Sequence, residues 1–162
     1  MQHNVSLGED IQHFEMAGLF PTTDWTLAVN TRLGTVSLLA SSSTVGHATL
    51  LVEQQFGASE MSALYPLITS YPHYCPYEEL LASFSDNNMS EENIARHRLR
   101  LEEALYAGVW DYEMRPLRNV LSRARFKLRD FDIEISSILA TGYTLIYWPP
   151  GIPKRRRKGP SL

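Results

Sequence analysis

The stretch that most restricts the fold is residues 116–148, where a helical period gives way almost at once to a period of two. Leu117, Leu121, Ala124 and Leu128 recur at spacings of three and four, so they line one face of a helix from near Pro116 to about Arg129. Ile133, Ile135 and Ser137 then alternate with Glu134 and Ser136. Ala140-Thr141-Gly142 turns the chain, and the run from Tyr143 to Trp148 returns as a strand. A helix with one apolar stripe and a hairpin beside it must bury both apolar sides on something else.

The rest of the chain offers that cover. Trp25, Leu27 and Val29 alternate with Thr26, Ala28 and Asn30, a break follows at Asn30 to Gly34, and Thr35 to Leu39 comes next, which predicts a hairpin. Residues 41–48 are small and polar and form a loop; 48–56 form a third strand. Gly57 ends that strand, and Ser59 caps a helix with Met61, Leu64, Leu67 and Ile68 inside and Pro66 bending or shortening it. After a Pro-bounded turn at 71–76, Pro76 opens a second helix over 76–84, with Glu78 and Glu79 near its positive end. Ser90 caps a third helix running to about Tyr106 and closed by Gly108. Its apolar side carries Ile94, Leu101, Leu105 and Leu99, while Arg96, Arg98 and Arg100 point elsewhere. The expected organisation is an N-terminal arm over 1–24, one domain over 25–148, and a Pro/Gly-rich disordered tail over 149–162.

Charge is distributed unevenly along this chain. Residues 1–95 hold one basic residue, Arg32, against eleven acidic ones, whereas residues 96–162 hold fourteen basic against seven acidic. Halves this unequal suit a charged partner better than the total of -3 suggests. Other function classes fit poorly. The lone Cys75 excludes an internal disulfide framework and any multi-cysteine metal site, and points to a reducing, cytoplasmic setting. His3, His13, His47, His73 and His97 have no metal-ligand spacing, so no metal and no cofactor is expected. Phosphate-loop, nucleophile-elbow and H-E-x-x-H motifs do not occur. Glu78-Glu79 and Glu102-Glu103 read as helix surface, and His73 and Cys75 as packing residues of a turn, so the chain is not expected to be an enzyme. The start of the chain lacks the pattern of a signal peptide, and no apolar run is long enough for a membrane span.

Two contiguous motifs resemble a known family. Leu117-x-x-x-Leu121-Ser122-Arg123-x-Arg125-x-Lys127-Leu128 is similar to the recognition helix of the winged-helix effector domain of OmpR/PhoB-type response regulators, V-x-x-x-I-S-R-L-R-x-K-L. IEISSILATGYTL, residues 133–145, resembles the family's wing, I-x-T-V-R-G-x-G-Y-x-L. Upstream, ASEMSALYPLI and PYEELLASF are similar to its first two helices. The resemblance spans about residues 25–147. It implies an α+β fold: an N-terminal antiparallel sheet, a three-helix winged helix-turn-helix core, here with an extra inserted helix, and a C-terminal β-hairpin wing.

The resemblance also implies double-stranded DNA as the partner, read by helix 116–129 in the major groove by a nucleoid-associated transcription regulator; a homodimer on repeated half-sites is expected, because one small winged helix seldom gathers enough affinity and specificity alone. Arg123 matches the position that reaches base edges and Arg125 one used for phosphate. Arg115, Arg118, Asn119, Ser122 and Lys127 add candidates from the helix itself, and the tail cations Lys154, Arg155, Arg156, Arg157 and Lys158 suit a flexible phosphate-tracking arm. Three departures matter. Leu139-Ala140 stands where the family's wing carries Arg-Gly, so the usual wing-tip contact is missing; Gly142 is then expected to permit the turn and Tyr143 to bury its ring. The family's short polymerase-contacting loop is replaced by residues 85–115, an insertion suited to dimerisation or to a second DNA surface. Residues 1–24 are too short for a receiver domain, so control by a paired sensor kinase is not expected. The competing expectation is an interaction module that docks on RNA polymerase or another regulator without reading DNA.

Overall fold

The computed structural model describes residues 10–41 and 46–153. Part of the expected arm is a strand, β1 (Ile11–Phe14), which pairs antiparallel with β2 (Trp25–Asn30), Ile11 opposite Asn30. β3 (Thr35–Ser41) and β4 (Ala48–Gln55) complete an antiparallel sheet in the order β1-β2-β3-β4. The arm also enters the core: Met16, Leu19 and Phe20 are buried, and Phe20 meets Trp25 and Tyr147 edge-on. Gly34 is required at the β2–β3 turn, because its φ is +73° and a side chain would collide with the Phe56 carbonyl oxygen.

Helix α1 (Ala58–Ser70) is capped by Gly57 rather than Ser59. Gly57 donates its backbone N–H to the N3 side chain, Glu60 Oε1, at 3.3 Å, which closes the first turn on its own cap. Pro66 does not shorten this helix. A proline leaves the carbonyl four residues earlier without its donor, and Ser83 Oγ of the next helix donates to that Ser62 oxygen at 2.7 Å.

α2 (Tyr77–Asp86), α3 (Glu91–Ala107) and α4 (Trp110–Leu128) follow, then a 3-10 turn at Arg129–Phe131. α4 begins six residues before the expected Pro116. Trp110 and Met114 extend its buried stripe by two places, and the proline and the Tyr112 carbonyl it deprives lie on exposed residues where water can substitute. β6 (Ile133–Ile138) and β7 (Gly142–Tyr147) form the hairpin, and β5 (Cys75–Pro76) adds to β7, giving the order β5-β7-β6. One core joins both sheets. Leu27, Val29 and Val36 of the first sheet meet Leu64 and Leu67 of α1, Leu80 of α2, Leu117 and Leu121 of α4, and Phe131. The fold is α+β: four antiparallel strands, four helices and a C-terminal hairpin, consistent with the layout of an OmpR-like winged helix.

α3 corrects an expectation about its own faces. Ser90 and Gly108 do cap it, with Ser90 Oγ accepting from Asn93 N–H at 3.2 Å and Gly108 at φ 73°. The buried side, however, runs through Asn93, His97, Leu101 and Ala104, which leaves Leu99 and Leu105 exposed. Asp86 at the end of α2 sets this rotation: its Oδ2 accepts from His97 Nε2 at 2.6 Å and from Asn93 Nδ2 at 3.0 Å. Those two hydrogen bonds hold the Asp86 carboxyl below its ordinary pKa, His97 contributing most. A depressed carboxylate stabilises the fold above its unfolded pKa, about 3.9, and that contribution is lost as pH falls through the lower folded value. Melting temperature measured against pH is therefore expected to separate the wild type from Asp86→Asn near neutrality and to bring the two curves together in acid. Parallel curves from neutral pH down into that range refute the assignment.

Candidate nucleic-acid interface

α4 sorts its residues by a single period. Met114, Leu117, Val120, Leu121, Ala124 and Leu128 are buried, so the opposite side presents Arg115, Asn119, Ser122 and Phe126 in one line at spacings of four, three and four. Arg123 flanks that line and is exposed. Arg115 and Arg123 have no ion-pair or hydrogen-bond partner among the described residues.

The other cations of this helix are engaged. Arg118 Nη1 donates to Asp111 Oδ1 at 2.8 Å, one turn pair earlier on the same helix, and that bond raises the guanidinium pKa further. Arg125 is half-buried, donates from Nε to the Ile135 carbonyl of β6 at 3.2 Å, and stands 5.7 Å over the Tyr143 ring. Lys127 Nζ donates to Gln55 O at 2.9 Å and Glu60 Oε1 at 3.0 Å. Sequence reasoning grouped all of these as DNA contacts; in the folded chain Arg125 and Lys127 tie α4 to the wing and to the first sheet. The physical reason is position: both sit at the border between buried and exposed faces, where a long side chain lays its stem on apolar surface and bonds a nearby acceptor.

Sequence reasoning missed Phe126, which is 69% exposed in the middle of the outward line with the Arg129 guanidinium 5.7 Å from its ring. The same period that selected Asn119 and Ser122 also selects Phe126. Asp111 was missed because it lies outside the expected helix.

The hairpin turn beside α4 is held by Thr141 N–H to Ile138 O at 3.1 Å and Thr141 Oγ1 to Leu139 O at 2.9 Å, with Ala140 at φ 53°. Gly142 is not the left-handed residue of that turn. It is needed because a side chain there would overlap the Cys75 carbonyl of β5. Tyr143 is buried, 5.3 Å from Tyr77 edge-on, and Tyr77 in turn meets Trp110 at 5.7 Å. Leu139 at the tip is 87% exposed.

Lys154, Arg155, Arg156, Arg157 and Lys158 lie outside the described residues. Burial pushes the Cys75 thiol up to about 12, which removes it as a nucleophile at neutral pH. Among the described residues no His/Cys/Asp/Glu group could hold a metal ion, and no helix is long and apolar enough to cross a membrane. No protein-family model, no curated protein and no solved structure matches this chain.

Proposed function

We propose that this chain is a sequence-specific double-stranded DNA-binding protein of the winged-helix type, a transcription regulator that lays α4 in the major groove. The observation that carries the reading is the outward line of α4. Two arginines without partners among the described residues, Arg115 and Arg123, bracket Asn119 and Ser122 on a helix whose opposite side is locked into the core. A major groove about 12 Å wide admits one such helix, and these side chains supply the donors that bases and phosphates accept. Ties from Arg125 and Lys127 fix the helix before any ligand arrives, which keeps the ordering cost of binding low.

Arg123→Ala is expected to cost about 1–3 kcal/mol of specific binding. Selection of bound sequences from a random duplex pool at near-physiological salt, run on the full chain and on this variant, is the test. Enrichment of a motif that the variant loses supports the reading; a pool left unenriched by the full chain removes it. The exposed Leu139 favours a second reading, a module that docks on RNA polymerase or another regulator through an apolar wing tip. In that case the selection returns no motif.

A further inference from the structure

The side of α3 turned away from the core is uncovered among the described residues. With Asn93, His97, Leu101 and Ala104 inward, the helical period turns Ala95, Leu99, Glu102 and Tyr106 outward, and Leu99 is 59% and Tyr106 97% exposed. Those four positions, spaced by four, three and four, form the kind of stripe that two packed helices share as a seam. Charges accompany the stripe in a definite order. Glu91 and Glu92 come first, then Arg96, Arg98 and Arg100, then Glu102 and Glu103.

We propose that this face pairs with α3 of a second copy of the chain, the two helices antiparallel about a two-fold axis near Leu99. Reversal of direction brings Arg96 of one copy opposite Glu103 of the other, and the two-fold repeats the pair on the far side of the axis. A parallel pairing sets arginine against arginine and glutamate against glutamate, which repels. Arg96 and Glu103 are the charges available for this, since neither makes an ion pair or hydrogen bond among the described residues. Arg98 and Arg100 already meet Glu78 at 3.3 Å and Glu113 at 3.8 Å within the same chain.

α3 is rigid enough to present a fixed face, with a cap at each end and Asp86 holding its inner side. Apolar surface continues from the helix to the wing, where Leu105 of α3 and the wing-tip Leu139 help line a cleft of about 490 Å³. A 17-residue helix is about 25 Å long and alone offers less than the roughly 800 Å² per partner of a standard interface. The dimer is accordingly a reversible one that forms as concentration rises.

Sedimentation of the full chain without DNA, over a wide concentration range, tests this. The wild type is expected to dimerise. Arg96→Glu and Glu103→Arg are each expected to weaken the dimer by about tenfold or more, because each places like charges opposite one another twice. The double variant restores the pairs in exchanged order and is expected to return to within about threefold of the wild type. Circular dichroism melts establish that all variants fold. A monomer at every concentration, a dimer indifferent to the single changes, or a double variant no tighter than the singles overturns the proposal. The inference rests on the surface of α3 and not on the reading of α4, and because no DNA is present its failure leaves the DNA-binding proposal standing.

Discussion

Gly142→Ala is expected to lower stability by about 3 kcal/mol, an overpacking cost at the top of the usual range. The position is not a matter of backbone conformation, since Gly142 lies in a paired strand with Pro76 and Ile138 on either side of it. Space decides the effect. A Cβ there would overlap the Cys75 carbonyl oxygen and lie 2.8 Å from its carbon and 3.0 Å from Pro76 Cα. Every one of those atoms is backbone, so no side chain can rotate away to relieve the contact. β5 must then separate from β7, and the Tyr77–Thr141 backbone bond at 3.2 Å and the Tyr77–Tyr143 ring contact are strained with it. Urea unfolding of the two proteins gives the answer, and a loss below about 1 kcal/mol means that the strands slide apart at little cost.

Lys127→Met is expected to cost a similar amount, about 3 kcal/mol, for an electrostatic reason. Glu60 is only 8% exposed, and its Oε1 is shared by Lys127 Nζ and the Gly57 N–H while Oε2 has no hydrogen-bond partner among the described residues. Removing the ammonium leaves a buried carboxylate facing one neutral donor, and breaking such a pair on one side costs far more than the pair contributes when intact. The double variant Lys127→Met with Glu60→Gln keeps an acceptor for Gly57 but removes the charge. It is expected to lie within about 1 kcal/mol of the wild type. A denaturation cycle over the four proteins decides between burial and solvent screening. If Lys127→Met alone costs less than about 1 kcal/mol, water reaches the pair and the tie is weak.

Neither role was legible in the sequence, which gave Gly142 to the turn and Lys127 to the outward face of α4. Strong periodicity gave β2, β3 and the hairpin, because Leu27 and Val29 or Ile133 and Ile135 alternate cleanly. The caps of α3 were legible from Ser90 and Gly108 alone, since both act on their own backbone neighbours. β1 was not legible: four residues at a sheet edge, three of them exposed, carry too little pattern to distinguish from an arm. Pro116 misled the start of α4, because a proline one residue before an apolar position looks like a first turn even when Trp110 and Met114 continue the stripe.

For the candidate interface, the period of α4 separated outward from inward residues correctly for Asn119, Ser122 and Arg123. It could not tell an unpaired cation from one already in use. The partners of Lys127 and Arg125 come from residues 72, 67 and 10 positions away, Gln55, Glu60 and Ile135, and only the folded chain brings them together. The orientation of α3 was likewise set from outside the helix, by Asp86.

Cys75 gives the molecule a clock. Its thiol is fully buried in β5 and held at about 12, so in the closed protein it reacts with no alkylating reagent at neutral pH. Reaction requires β5 to leave β7, and with no second cysteine in the chain each modified molecule records one such opening. At reagent concentrations where labelling outpaces reclosing, the labelling rate in the native state therefore times the opening of the seam that joins the wing to the helices, in a protein that carries its own single reporter.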